Sequence, residues 1–178
     1  MDPRQVLFAV EYVDRLGTSL AHTFAMPQAH TKHFAVIDYD ESAVLTFPLG
    51  LPAFEHLSRF LLIEEPSVAP LVFLQSLDEG AVCLPLLPAL QVEPDYELSL
   101  SPDDLETLGF TASEQLPGEN ALGCFVVITA PGAGAVTANL AAPVVVNLSM
   151  RLGVQAVRFD TRYSYRQPVA STTEGLCS

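Results

Sequence analysis

Basic residues are scarce in this chain. Eight Lys and Arg stand against 21 Asp and Glu in 178 residues, a formal charge of −13. Direct nucleic-acid binding is excluded on that balance, because phosphate contacts are made by Lys and Arg. Cysteine is scarce too. Cys83, Cys124 and Cys177 do not make a disulfide framework, which fits a reducing, cytoplasmic setting, and Cys83 and Cys124 sit in apolar runs as small core residues. Long hydrophobic runs are missing. Val6–Val10 is cut off by Glu11, too early for the apolar region of a secretory signal. Residues 120–150 carry no charge, but Pro131, Gly132, Gly134, Asn139, Pro143 and Asn147 interrupt them. No 18-residue apolar run survives, so the segment reads as buried strands around a turn and not as a membrane span.

What is present is enough apolar mass for a core. Hydrophobic residues make up 49% of the chain and charged residues only 16%. Disorder needs low hydrophobicity as well as net charge, and the length favours one domain. The charge is uneven: residues 31–119 hold 16 acids and two bases, whereas residues 120–178 hold two acids and four arginines. Such an excess suits a basic protein partner or keeps the protein soluble.

Residues 1–28 read as an N-terminal extension. Val6, Val10, Val13 and Leu20 lie near helical spacing, so a short amphipathic helix and a loose extension both stand. Met26 leaves a third reading, a translation start downstream of the first 25 residues. Beyond it, short apolar runs alternate with turn signals: His33–Asp38, Ala43–Phe47, Arg59–Glu65, Leu71–Ser76, Ala81–Leu87, Tyr96–Leu100, Leu122–Thr129, Val136–Leu140, Val144–Leu148, Val154–Phe159 and Tyr163–Arg166. This spacing predicts a mostly β fold, a small antiparallel β-barrel or barrel-like sandwich spanning 29–169. One short helix is expected near 102–108. Ser101 is its N-cap, Pro102 its first residue, Asp103 and Asp104 face the positive end of its dipole, and Gly109 stops it. Pro131–Gly134 begins like a dinucleotide fingerprint but lacks the third glycine, so it reads as a hairpin turn. Residues 170–178 read as a frayed tail.

No nucleophile elbow, zinc helix, phosphate loop or paired Cys-x-x-Cys is present. His30 and His33 read as a solvated pair, and His22 and His56 have no evident partners. Neither a metal nor a cofactor is expected. Three pairs of neighbouring acids stand out: Glu64-Glu65, Asp78-Glu79 and Asp103-Asp104. Each reads either as a solvated turn or helix start, or as part of an acidic docking surface. An enzyme would need convergent polar groups in a pocket.

Three blocks of sequence occur in a telling order. They are Leu45-Thr46-Phe47-Pro48-Leu49-Gly50-Leu51-Pro52-Ala53-Phe54-Glu55, then Phe73-Leu74-Gln75-Ser76-Leu77-Asp78 with Pro94-Asp95-Tyr96 further on, then Thr137-Ala138-Asn139-Leu140-Ala141-Ala142-Pro143-Val144-Val145-Val146-Asn147 with Gly153-Val154-Gln155. Together they resemble the FliW family of flagellar assembly factors from about Thr31 to Pro168. The resemblance implies a cytosolic, non-catalytic β protein that binds flagellin before export. It also implies binding to CsrA, the small regulator that represses flagellin translation. The two compete, so secretion of flagellin frees the protein to sequester CsrA. A monomer without membrane contact is expected. The runner-up is a FliW-like adaptor with other protein partners. The acidic pairs are the candidate contacts to a basic partner. The motif residues Gly50, Pro52, Gln75, Ser76, Asn139, Pro143, Asn147 and Gln155 read as structural, setting turns and satisfying backbone groups. Two departures from the family pattern stand out. Ala53 replaces a usual glycine, which suggests a backbone that needs no positive φ there. The strip Cys83–Leu90 has two prolines and no aromatic residue.

Overall fold

The computed structural model describes residues 26–110, 122–132, 134–158 and 162–169. The readings of an N-terminal helix and of a frayed tail, together with His22 and Cys177, fall outside these residues.

Seven strands close into a barrel: β3 (Leu45–Thr46), β4 (Arg59–Glu64), β5 (Val72–Ser76), β6 (Cys83–Pro88), β7 (Leu122–Thr129), β9 (Val144–Asn147) and β10 (Leu152–Gln155). The pairing of β7 with β9 and of β10 with β3 closes the ring. Every neighbouring pair is antiparallel except β3 and β10, which are parallel. The mostly β barrel is as expected from the sequence, and its one parallel pair follows from parity. A closed ring with an odd number of strands cannot alternate direction all the way round. Beyond β7, the short strands β8 (Thr137–Ala138) and β11 (Gln167–Pro168) extend the sheet.

Alternation along each strand sends one set of side chains inward. Phe60, Leu62, Val72, Leu74, Leu84, Leu86, Phe125, Val127, Val144 and Val146 fill the barrel with Phe47. The other faces are covered in three places. A hairpin of β1 (Gln28–Thr31) and β2 (Ala35–Asp38) brings Ala29 and Ile37 onto Leu61 and Ile63. The helix α2 (Pro102–Thr107) sets Leu108, just past its end, against Val145 and Val154. Tyr96 and Leu140 cover Val126 and Ile128. All four residues of β9 are therefore buried, because the barrel core lies on one side and α2 on the other.

The helix signals are as read. Ser101 Oγ accepts from Asp104 N, and the Asp104 carboxylate accepts from Ser101 N at 2.9 Å, a reciprocal capping box. Gly109 follows at φ 84°. A second helix, α1 (Ala89–Val92), was not expected and is a single turn after Pro88. Tyr96–Leu100 is corrected from a strand to irregular chain. Its burial still alternates, but Glu97 bonds to side chains in place of a neighbouring strand. The last strand is Gln167–Pro168 and not Tyr163–Arg166, since Tyr163 is engaged with the Tyr96 ring 4.6 Å away. The strands on either side of the expected hairpin turn, β7 and β8, do pair antiparallel.

Candidate functional site

The motif turn between β3 and β4 is built on backbone bonds: Gly50 N donates to Phe47 O at 2.9 Å and Phe54 N to Leu51 O at 2.7 Å. Gly50 sits at φ 66°, and a Cβ there would lie 2.6 Å from Glu55 Cα and from Phe54 O. Glycine is thus required twice over, by conformation and by space. Ala53 adopts φ 71°, so the reading that its alanine marks a relaxed backbone is wrong. The Glu55 carboxylate compensates by accepting from Ala53 N at 2.9 Å. Backbone donors hold the Glu55 carboxyl below its ordinary range.

This turn forms one wall of an open groove of about 510 Å³, with Leu49, Gly50, Pro52 and Glu55 lining it. Ser99–Ser101 with Asp103 and Asp104 form another wall, and Val154 and Gln155 of β10 also line it. Val157 and Arg158 complete the lining. Leu49 and Val157 are exposed large apolar residues, 67% and 41% accessible. The groove therefore combines an apolar rim with three carboxylates, and Arg158 is its one lining cation among the described residues. Arg158 itself donates to Glu97 O at 2.6 Å and lies 4.9 Å from the centre of the Tyr163 ring.

Three motif residues, Gly50, Pro52 and Gln155, and two of the acidic candidates, Asp103 and Asp104, meet here. Gln155 Nε2 donates to Ala142 O at 3.0 Å. The remaining acids lie elsewhere. Glu64 ends β4 and Glu65 follows it, whereas Asp78 takes the N–H groups of Ser58 and Arg59 at the start of β4. A strand of six residues separates these positions by about 17 Å. Glu79 faces His56, with Nε2 3.7 Å from Oε2, so His56 does have a partner. His30 lies within β1 and not ahead of a strand, and like His33 it is exposed. No group of metal-ligating side chains occurs among the described residues. Their helices include none long and apolar enough to cross a membrane.

The other motif residues hold the frame. Gln75 and Ser76 are fully buried. Gln75 Nε2 donates to Ser76 O, Gly80 O and Val82 O at 2.9, 3.3 and 3.0 Å, stitching the β5–β6 turn. Ser76 Oγ accepts from Asp78 N and Glu79 N. Asn139 Oδ1 accepts from Ala142 N at 3.1 Å, and buried Pro143 offers its carbonyl to Ala156 N at 2.9 Å. Asn147 Nδ2 donates to Leu108 O at 2.9 Å, tying the end of α2 to β9. Cys83 and Cys124 are half-buried, and burial pushes their thiols up to about 11 and about 12. Sequence reasoning missed Leu49, Glu55, Leu100, Val157 and Arg158, since a groove between distant segments leaves no local pattern.

These features define a small closed β-barrel protein with an open, carboxylate-rimmed groove. The family model described as FliW protein matches residues 28–169. The chain is 32% identical over 142 residues to the flagellar assembly factor FliW of Clostridium tetani, covering 79% of this chain and 93% of that one. To the flagellar assembly factor FliW of Caldanaerobacter subterraneus it is 33% identical over 144 residues, covering 80% and 92%. It also superposes on a crystal structure of the flagellar assembly factor FliW with a TM-score of 0.70 at 29% identity, covering 83% of this chain and 100% of the other. The chain belongs to the FliW family.

Proposed function

We propose that this protein is a cytoplasmic partner-switching regulator of flagellum assembly that binds flagellin before export and binds the translational regulator CsrA. Its action is by mass action: whichever partner is free and in excess takes the protein. Flagellin secretion then releases it to sequester CsrA and lift repression of flagellin translation. The observation that carries this reading is the groove, where family-motif residues and carboxylates share one surface. An RNA-binding regulator carries basic surface, and complementary charge speeds its encounter with an acidic partner. The apolar rim at Leu49 and Val157 suits the amphipathic helices of flagellin termini. The protein acts as a monomer and needs no cofactor.

The test is binding of the purified full chain to host flagellin and host CsrA, followed by competition between them. Binding of both, with displacement of CsrA by flagellin, is expected. Failure of the folded protein to bind either would overturn the proposal. The other FliW-like reading, an adaptor with different partners, would then take its place.

A further inference from the structure

We propose that Glu97 is the positioning residue of the groove, fastening its Ser99–Asp104 wall to the C-terminal segment and so setting the width offered to a partner. The inference rests on the groove being the interaction surface.

The wall makes no ladder bonds, because residues 97–101 lie outside every strand. Leu98 and Leu100 pack it onto the cluster around Val145 and Val154, and polar groups fasten it at its two ends. At the far end, the capping box fixes Ser101 to α2, and Asn147 holds the Leu108 carbonyl. At the near end, each polar group of Glu97 goes to the C-terminal segment. Its N–H donates to Tyr163 Oη at 2.9 Å, and its carbonyl accepts from Arg158 Nη1 at 2.6 Å. Its carboxylate accepts from both terminal nitrogens of Arg162, with Nη2 at 3.0 Å from Oε1. The Tyr163 ring packs on Tyr96, and both guanidiniums lie against it, at 4.9 and 5.4 Å. Arg158 also lines the groove, so one lining guanidinium is bonded to the start of the wall. The Glu97–Arg162 pair is exposed, 68% and 50% accessible, and contributes little to stability. Its role in position can therefore be separated from any role in folding.

The experiment uses Arg162→Glu, Glu97→Arg and the double swap, titrated against host flagellin and host CsrA. Leu49→Asp, in the motif turn that also lines the groove, is the comparator. Each single reversal should weaken the groove-binding partner about tenfold, a usual size for coupling through a non-contacting residue. The swap should restore affinity, and melting temperatures should stay within about 4 °C of the parent. Glu97→Gln, which keeps an acceptor oxygen, should lose affinity only partly. If Leu49→Asp weakens binding while the reversals do not, the positioning role is overturned and the groove stands. The same holds if the reversals weaken binding but the swap fails to restore it. If Leu49→Asp changes neither affinity, the groove reading falls and the positioning role falls with it.

Discussion

Ala53 holds left-handed backbone at φ 71°, a region that costs an ordinary L-residue about 1–2 kcal/mol. Ala53→Gly should relieve that strain and stabilise the protein by about 1 kcal/mol, part of the gain being lost to glycine's freedom when unfolded. Thermal unfolding followed by circular dichroism should show a midpoint roughly 2–4 °C higher. An unchanged or lower midpoint would mean that the turn is not strained. Gln75 supports the neighbouring turn in a different way. Its amide serves three carbonyls, while its Oε1 is buried with no partner among the described residues. Gln75→Leu loses the donors but also removes the orphaned oxygen, so a net loss of about 1–2 kcal/mol is expected. Chemical denaturation would measure it, and amide exchange should rise at Gly80 and Val82. The structural role of Gln75 was an even choice from sequence, because a polar residue ending a strand reads equally well as surface. Only its burial beneath the turn decides the matter.

Among the elements, α2 was the most legible. Its cap, proline, acidic first turn and stop glycine are all local signals, and local signals survive folding unchanged. Tyr96–Leu100 shows the opposite. Its period-two pattern correctly gave the buried face but not the absence of a pairing partner, since backbone satisfaction there comes from Arg158 and Tyr163, some sixty residues away. The same clasp has a pH signature. Arg162 beside Glu97 holds its carboxyl below the ordinary value of 4.5. Asp40 and Glu55 are also held low, chiefly by backbone N–H donors. A depressed carboxyl contributes stability that is present above its unfolded value and is lost as pH falls through the folded one. Stability should therefore decline below about pH 4.5. High salt should remove the Glu97 share, which rests on an exposed ion pair, and spare the other two. Melting curves between pH 7 and 3 in low and high salt, with Glu97→Gln as control, would check this. The Glu97 share should be small, and a parent acid profile that stays flat from pH 7 to 3 would contradict the account.

At the scale of the molecule, the barrel was legible as a class from evenly spaced short strands. Its parallel seam was not, because the number of strands in the ring depends on which segments fail to pair. The acid excess of residues 31–119 also resolves differently in space. Glu64 and Glu65 lie at one end of β4, Asp78 and Glu79 lie by the other, and of these three acidic pairs only Asp103 and Asp104 reach the groove, where Glu55 joins them. Several of these carboxylates have structural tasks: Asp78 caps Ser58 and Arg59, and Asp104 closes the α2 capping box. The proposed docking surface is thus narrower than the charge implied, and it includes the exposed apolar residues Leu49 and Val157. Amide chemical-shift mapping tests this most directly, using labelled full-length protein titrated with host flagellin and, separately, host CsrA. The account predicts that at least one partner perturbs Leu49, Gly50, Glu55, Leu100, Asp103 and Gln155 together. Perturbations confined to Glu64, Glu65 and their surroundings, with the groove unmoved by either partner, would contradict it.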